Sequence, residues 1–192
     1  LRPLLERGAE IAWINDKTGA AEMIAHLLEF DSVHGRWPVP FAHDDASVSI
    51  DGTRLPLLSA ARIEDLPLDD VDVVIDCTGV FKTADKIAPY FAAGVKKVEV
   101  SAPLKDGGAA NIVYGVNHDS YDPATHHIVT AASCTTNCLA PVVKVIHENL
   151  GIRHGSITTI HDVTNTQTMV DRPAKDLRRA RSALNSLIPT TT

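Results

Sequence analysis

Cys134 stands in the run Ala132-Ser133-Cys134-Thr135-Thr136-Asn137-Cys138-Leu139, between small hydroxyl residues and just ahead of an amphipathic stretch. A cysteine at a helix N-terminus feels the positive end of the aligned peptide dipoles, which favours its thiolate. Flanking hydroxyls and free backbone N–H groups can hold an anion beside it. This is the local chemistry of a thiolate nucleophile, and such a nucleophile needs a base. His161 follows, at the end of the apolar run Ser156-Ile157-Thr158-Thr159-Ile160. The remaining cysteines, Cys77 and Cys138, sit on apolar elements and read as buried packing residues. His26, His126, His127, His147 and His154 read as surface or packing residues, and their spacing suggests no metal site.

The chain around these residues has the composition of an ordinary soluble globular protein, with 44% hydrophobic residues over 192 positions. Its net charge of −6 has no compensating basic cluster beyond Arg178-Arg179-Ala180-Arg181, which argues against nucleic acid as a partner. That run reads as a set of ion pairs between subunits or within its loop, and less readily as a polyanion site. An odd number of cysteines does not make a secreted disulfide framework. No apolar run reaches membrane-spanning length and no export signal opens the chain, so the cytoplasm is the expected compartment, with no membrane partner. Leu1 opens inside what reads as a helix and Thr190-Thr191-Thr192 closes on no element, the pattern expected of a fragment.

The elements that must position Cys134 alternate between strands and helices. Glu10 to Asn15 reads as a buried strand with Asp16 at its tip, followed by a helix over Ala20 to Phe30 with Thr18 as cap. Val39 to Leu58 reads as a hairpin excursion, inserted between parallel units, with Asp51-Gly52 as its turn. Val71 to Cys77 reads as a second buried strand, then comes Thr78-Gly79 and a helix from Thr83 to Ala93 closed by Gly94. Lys97 to Ser101 and Ile112 to Tyr114 read as further strands, and His127 to Thr130 leads into the cysteine. Such alternation predicts an α/β fold with a doubly wound parallel sheet. Ligands bind at the C-terminal strand tips of such sheets, where Asp16, Thr78, Gly79, Ser101 and Cys134 fall. Ser156 to Ile160 reads as a strand ending on His161, and a long polar loop follows from Asp162 to Arg181. A domain boundary is expected near Cys134, giving domains 1–133 and 134–192.

Ser133-Cys134-Thr135-Thr136-Asn137-Cys138 together with His161 resembles the catalytic core of phosphorying-type chemistry on aldehydes, namely the phosphorylating glyceraldehyde-3-phosphate dehydrogenases. Asp31-Ser32-Val33-His34-Gly35, Thr78-Gly79-Val80-Phe81, Val100-Ser101-Ala102-Pro103, Lys175 to Arg181 and Ile188 to Thr192 resemble stretches of that family in the same order. The resemblance implies a Rossmann-like NAD-binding domain and the start of an α+β catalytic domain. The Gly-rich turn would precede Leu1, and further catalytic-domain residues would follow Thr192, so the chain alone would be inactive. It implies Cys134 as nucleophile and His161 as base and acid. Ser133, Thr135 and Thr192 would line the site for the attacking phosphate, and Thr164 the site for the phosphate of glyceraldehyde 3-phosphate. A homotetramer is implied for the full-length enzyme.

For the cofactor, an acid at this strand tip bonds the adenosine ribose hydroxyls and repels a 2′-phosphate, so Asp16 favours NAD over NADP; a helix cap is the competing role. Thr78, Gly79 and Ser101 would approach NAD, and Arg62 would lie on its adenine side. Arg172 lies where the family's loop approaches a neighbouring subunit's ribose and would tolerate a 2′-phosphate, the basis for dual use. Within the family, His161 to Asp171 and Arg181 to Leu187 resemble the branch associated with arsenic resistance, which implies arsenate in place of phosphate. Erythrose-4-phosphate dehydrogenase shares the cysteine and histidine, although the Pro189-Thr190-Thr191-Thr192 run argues against it. A non-catalytic binding module or truncated remnant is the reading from a different class.

Overall fold

The structure, a computed structural model, describes residues 1–104 and 106–189. The chain divides into two compact units, one formed by Leu1–Asn111 with Tyr121–Thr130, the other by Ile112–Ser120 with the chain from Ala131 onward. In the first unit α1 (Arg2–Glu6), β1 (Ile14–Asn15) and α2 (Ala21–Glu29) come first. The short strands β2 (Phe30–Asp31) and β3 (Gly35–Arg36) follow, and then β4 (Phe41–Asp44), β5 (Ser47–Ile50) and β6 (Thr53–Leu58). Its second half holds β7 (Val73–Asp76), α3 (Ala84–Ala92), β8 (Lys97–Val100), β9 (Ala110–Asn111) and β10 (Ile128–Thr130). The second unit is built on one long helix, α4 (Cys134–Leu150).

The α/β class is as expected, but the strands form separate sheets. β7, β8, β10 and β9 make an all-parallel sheet in the order β7-β8-β10-β9. β1 pairs in parallel with β6, and β6, β5 and β4 continue as an antiparallel meander. The Val39–Leu58 excursion is therefore no mere insertion, because its last strand is the partner of β1. Its turn is the expected one: Asp51 and Gly52 take φ of 49° and 79°, the doubly left-handed pair of a tight hairpin.

Several boundaries differ from expectation for identifiable reasons. The strand expected over Glu10 to Asn15 shrinks to Ile14–Asn15, the residues that pair with Leu57 and Leu58 at the end of β6. The strand expected at Ile112 to Tyr114 is displaced to Ala110–Asn111. The chain turns just after it, with the Val113 N–H on Asn117 Oδ1 at 2.7 Å and the Asn117 N–H back on the Val113 carbonyl. Ser156 to Ile160 takes no regular structure, for no strand among the described residues pairs with it. Thr18 does not cap α2; its N–H and hydroxyl go to Asp16 Oδ1, and Ala20 stands at the cap position. Cys77 and Cys138 are exposed, not buried.

Two apolar cores hold the first unit. Ile87 and Tyr90 of α3 pack on Val74, Val98, Val100 and Ile128 of the parallel sheet, with Ile63, Leu68 and Val95 around them. Ala21 and Ala25 of α2 pack with Trp37, Val48, Ile50 and Leu55. Their small size on α2 lets the helix approach the meander closely. β7 is covered on one face only, with Val74 and Asp76 buried and Val73 and Ile75 exposed, whereas a strand buried on both faces was expected.

Asp76 is the charged side chain in this core, 2% exposed at the tip of β7. Its Oδ1 accepts the Thr78 N–H at 2.9 Å and the Thr78 hydroxyl at 2.7 Å, and its Oδ2 accepts the Tyr90 hydroxyl at 3.1 Å. Burial first, and then the Asp76 charge, push the Tyr90 phenol far above its ordinary range, so it stays a donor. Tyr90→Phe leaves Asp76 Oδ2 without this donor and is expected to destabilise the fold by about 1.5–3 kcal/mol. Denaturant midpoints at neutral pH check this; an unchanged midpoint would show the bond to be dispensable.

Candidate active site

The turn into α4 is set by its own sequence. Ser133 is the N-cap, its Oγ accepting the Thr136 N–H at 3.0 Å, and Cys134 is therefore the first helical residue. The residue before the cap, Ala132, has φ of 59°, a left-handed conformation that L side chains seldom adopt. Asn137 spans it from one helical turn on, its Nδ2 donating to the Ser133 carbonyl at 2.9 Å and also to the Ala131 carbonyl.

Cys134 Sγ and His161 Nε2 lie 3.2 Å apart, within hydrogen-bond reach for sulfur. The other ring nitrogen, Nδ1, is 2.7 Å from the Asp162 carbonyl, an acceptor that has no proton to give. Nδ1 must therefore carry the proton, which leaves Nε2 of the neutral ring as an acceptor facing the thiol. Once it has taken the thiol proton, Nε2–H donates to the thiolate. The electrostatics run the same way on both partners. The His161 ring lowers the Cys134 thiol below its ordinary value, burial opposing it and the Thr135 N–H and hydroxyl helping. The bond to the Asp162 carbonyl, followed by the thiol itself, raises His161 above an ordinary imidazole. A lowered thiol and a raised imidazole both favour passage of the thiol proton to the ring.

The hydroxyls assigned to anion sites are locally engaged. Ser133 caps the helix, and Thr135 turns toward Cys134 Sγ. Thr164 bonds within its own loop, its N–H and hydroxyl both on Gln167 Oε1 at 2.9 Å. Thr192 lies outside the described residues. The basic run resolves into ion pairs within its loop: Arg178 and Arg179 on Asp176, and Arg181 on Asp171.

On the first unit the residues assigned to the cofactor fall at two places. Thr78, Gly79 and Ser101 follow the C-terminal ends of β7 and β8, the Ser101 N–H bonding the Asp76 carbonyl at 2.9 Å. Gly79 has φ of 67°, so the turn there needs a residue without a side chain. Asp16 follows β1, and its Oδ1 accepts the Thr18 N–H and hydroxyl and the Gly19 N–H. Those donors, Thr18 foremost, hold the carboxyl below its ordinary value and keep it an anion. A Cβ at Gly19 would stand 2.6 Å from Ile24 Cδ1, so that side-chain end would have to shift to admit one. Arg62 forms a two-pronged pair with Asp65 at 2.9 and 2.6 Å, so an adenine-side contact would require that pair to open. No group of three or more side chains that could hold a metal occurs among the described residues, and no helix among them is long and apolar enough to cross a membrane.

Residues 1–84 match the family model for the glyceraldehyde 3-phosphate dehydrogenase NAD binding domain, and residues 133–192 match that for the C-terminal domain of the same enzyme. The chain belongs to the glyceraldehyde-3-phosphate dehydrogenase family. It is 58% identical over 185 residues to glyceraldehyde-3-phosphate dehydrogenase 3 of Nostoc sp., an overlap of 95% of this chain and 55% of the relative. It is 47% identical over 195 residues to the Streptomyces coelicolor enzyme, covering 100% of this chain and 57% of the relative. Identity to the Geobacillus stearothermophilus enzyme is 45% over 185 residues, 95% of this chain and 55% of that enzyme. The chain thus spans little more than half the length of these relatives.

Sequence reasoning missed three contributors. The Asp162 carbonyl that fixes the His161 tautomer is main chain and leaves no mark on residue type. The Asn137 side chain lay inside the motif but had no stated task. Asp76 was read as part of an apolar strand, although an acid in such a run signals a buried bond network.

The geometry makes a pH-dependent prediction. A lowered thiol keeps Cys134 a thiolate down to lower pH than a free cysteine, and its reactivity is lost as pH falls through that lowered value. His161→Asn removes the main cause, so the midpoint of iodoacetamide alkylation at Cys134, followed by peptide mass, should move to higher pH. A midpoint that stays in place would show that His161 does not set the thiolate.

Proposed function

We propose that this chain carries the nucleophile and the base of an NAD-dependent, phosphorylating oxidation of glyceraldehyde 3-phosphate. The observation that carries the reading is the Cys134 Sγ to His161 Nε2 contact, with the ring tautomer set from behind by Asp162. In this reading residues 1–133 form the NAD-binding domain and residues 134–192 belong to the catalytic domain.

The Cys134 thiolate attacks the aldehyde carbon, forming the S–C bond and an alkoxide. The first N–H groups of α4 have no acceptor within the helix, so the Cys134 N–H can donate to that oxygen, as can the His161 imidazolium. Losing one such donor typically costs about 2.7–4 kcal/mol of barrier. His161 then holds the hydroxyl proton as the C–H hydride departs. NAD, when bound, supplies the hydride acceptor. A thioester remains on Cys134, and an oxygen of inorganic phosphate attacks its carbonyl carbon, releasing the acyl phosphate and restoring the thiolate. Ser133, Thr135 and Thr192 serve the attacking anion, and Thr164 the substrate phosphate. Both Ser133 and Thr164 would exchange a local bond for the ligand.

NAD fits the residues present. The Asp16 carboxylate, held as an anion at the end of β1, suits the ribose diol and opposes a 2′-phosphate. The Gly79 turn and Ser101 lie at the ends of parallel strands, where dinucleotides bind. A homotetramer in the cytoplasm accords with the family. Arsenate is nearly isosteric with phosphate, and the resemblance of the His161–Asp171 loop to the arsenic-resistance branch makes it the second acceptor to assay.

In a protein that carries this chain at its relatives' full length, NADH should form from glyceraldehyde 3-phosphate and phosphate, and Cys134→Ser should abolish it while NAD binding persists. Turnover retained by Cys134→Ser would contradict the nucleophile. Replacing phosphate by arsenate, with the acyl product assayed, ranks the two acceptors. Asp16→Gly should shift the NAD to NADP ratio of kcat/KM toward NADP; an unchanged ratio would remove Asp16 from the ribose.

A further inference from the structure

We infer that Asn137 is a positioning residue for the Cys134 nucleophile, its side-chain amide clamping the peptide plane that carries the Cys134 N–H. The inference rests on the proposed role of Cys134 and deepens it. Asn137 Nδ2 donates to two carbonyls, Ser133 O at 2.9 Å and Ala131 O, one on each side of the left-handed Ala132. Its NH2 group carries two donors, one for each carbonyl oxygen.

Two consequences follow from peptide geometry. The Ser133 carbonyl and the Cys134 N–H belong to the same planar trans unit and point in opposite directions. Holding the carbonyl therefore aims the N–H at the place where the alkoxide forms. The same plane fixes the start of the Cys134 side chain, and with it the line from Sγ to His161 Nε2. The Asn137 backbone N–H also bonds the Ser133 carbonyl at 2.9 Å, so that oxygen is held from two sides.

The rest of the helix gives this turn less support than usual. Pro141 lies four residues beyond Asn137 and has no N–H, so the Asn137 carbonyl lacks its ordinary ladder bond. The first turn is thus held by the Ser133 cap and the Asn137 clamp more than by the helix behind it. Ala132 adds to the load, since its left-handed backbone, φ 59°, is one that L side chains seldom adopt.

The test separates positioning from plain stability. In the full-length protein Asn137→Leu should lower kcat roughly 100-fold, as expected for small misplacements of a reacting group, with KM for glyceraldehyde 3-phosphate little changed. Its alkylation midpoint at Cys134 should move to higher pH. Ala132→Gly relieves the left-handed strain, so the Asn137→Leu/Ala132→Gly double variant should regain melting temperature but not kcat or the original midpoint. Recovery of kcat in the double variant, or an Asn137→Leu protein that loses melting temperature alone, would overturn the inference. Cys134→Ser, run beside these, reports on the underlying reading: if it retains turnover, the nucleophile assignment falls, whereas an inactive Cys134→Ser with an unimpaired Asn137→Leu rejects the clamp alone.

Discussion

The contact between Cys134 Sγ and His161 Nε2 is the constraint on which the chemical reading depends, because it decides both where the proton sits and which atom is free to attack. At 3.2 Å the neutral ring can take the thiol proton, and the ion pair that results is favoured from both ends. The Asp162 carbonyl stabilises the protonated ring, while the Thr135 N–H and hydroxyl stabilise the thiolate. None of these partners would matter without the helix start, which brings the sulfur to an exposed N-terminus. The fold around Cys134 therefore presents one sulfur beside a ring placed to take its proton.

The two units obtain their order in different ways. The first is a layered α/β structure in which burial does most of the work, through α3 on the parallel sheet and α2 on the meander. The buried Asp76 carboxylate is satisfied by Thr78 and Tyr90, and that network shapes the turn leading to Gly79. The second unit has no sheet among the described residues and is organised by polar contacts: the Ser133 cap, the Asn137 bonds, and the Asp171 and Asp176 pairs with the arginines of the loop. Apolar side chains along α4, among them Val142, Val145 and Leu150, are exposed.

Much of this was legible in residue types. The cysteine between hydroxyls announced a helix N-terminus, and the cap and helix start fall where that pattern places them. Asp51-Gly52 announced its turn, and the apolar runs of β7, β8 and β10 announced a parallel sheet. What could not be read were properties of partners rather than of segments. The length of β1 depends on where it runs beside the end of β6, and the fate of Ser156 to Ile160 depends on a neighbouring strand that is absent among the described residues. Asp16 shows the limit at the site itself. Its type and place suit the ribose contact proposed for it, and the structure reveals that the carboxylate organises the turn to α2, a role that residue type alone does not single out.

The central claim is that Cys134 and His161 exist as a thiolate–imidazolium pair before any substrate arrives. Titrating the His161 ring carbon resonance by NMR, in the wild type and in Cys134→Ser, tests it directly. The account predicts that His161 titrates above an ordinary imidazole in the wild type and falls when the sulfur is replaced by a hydroxyl that stays neutral. A His161 titration that is the same in both proteins would contradict it.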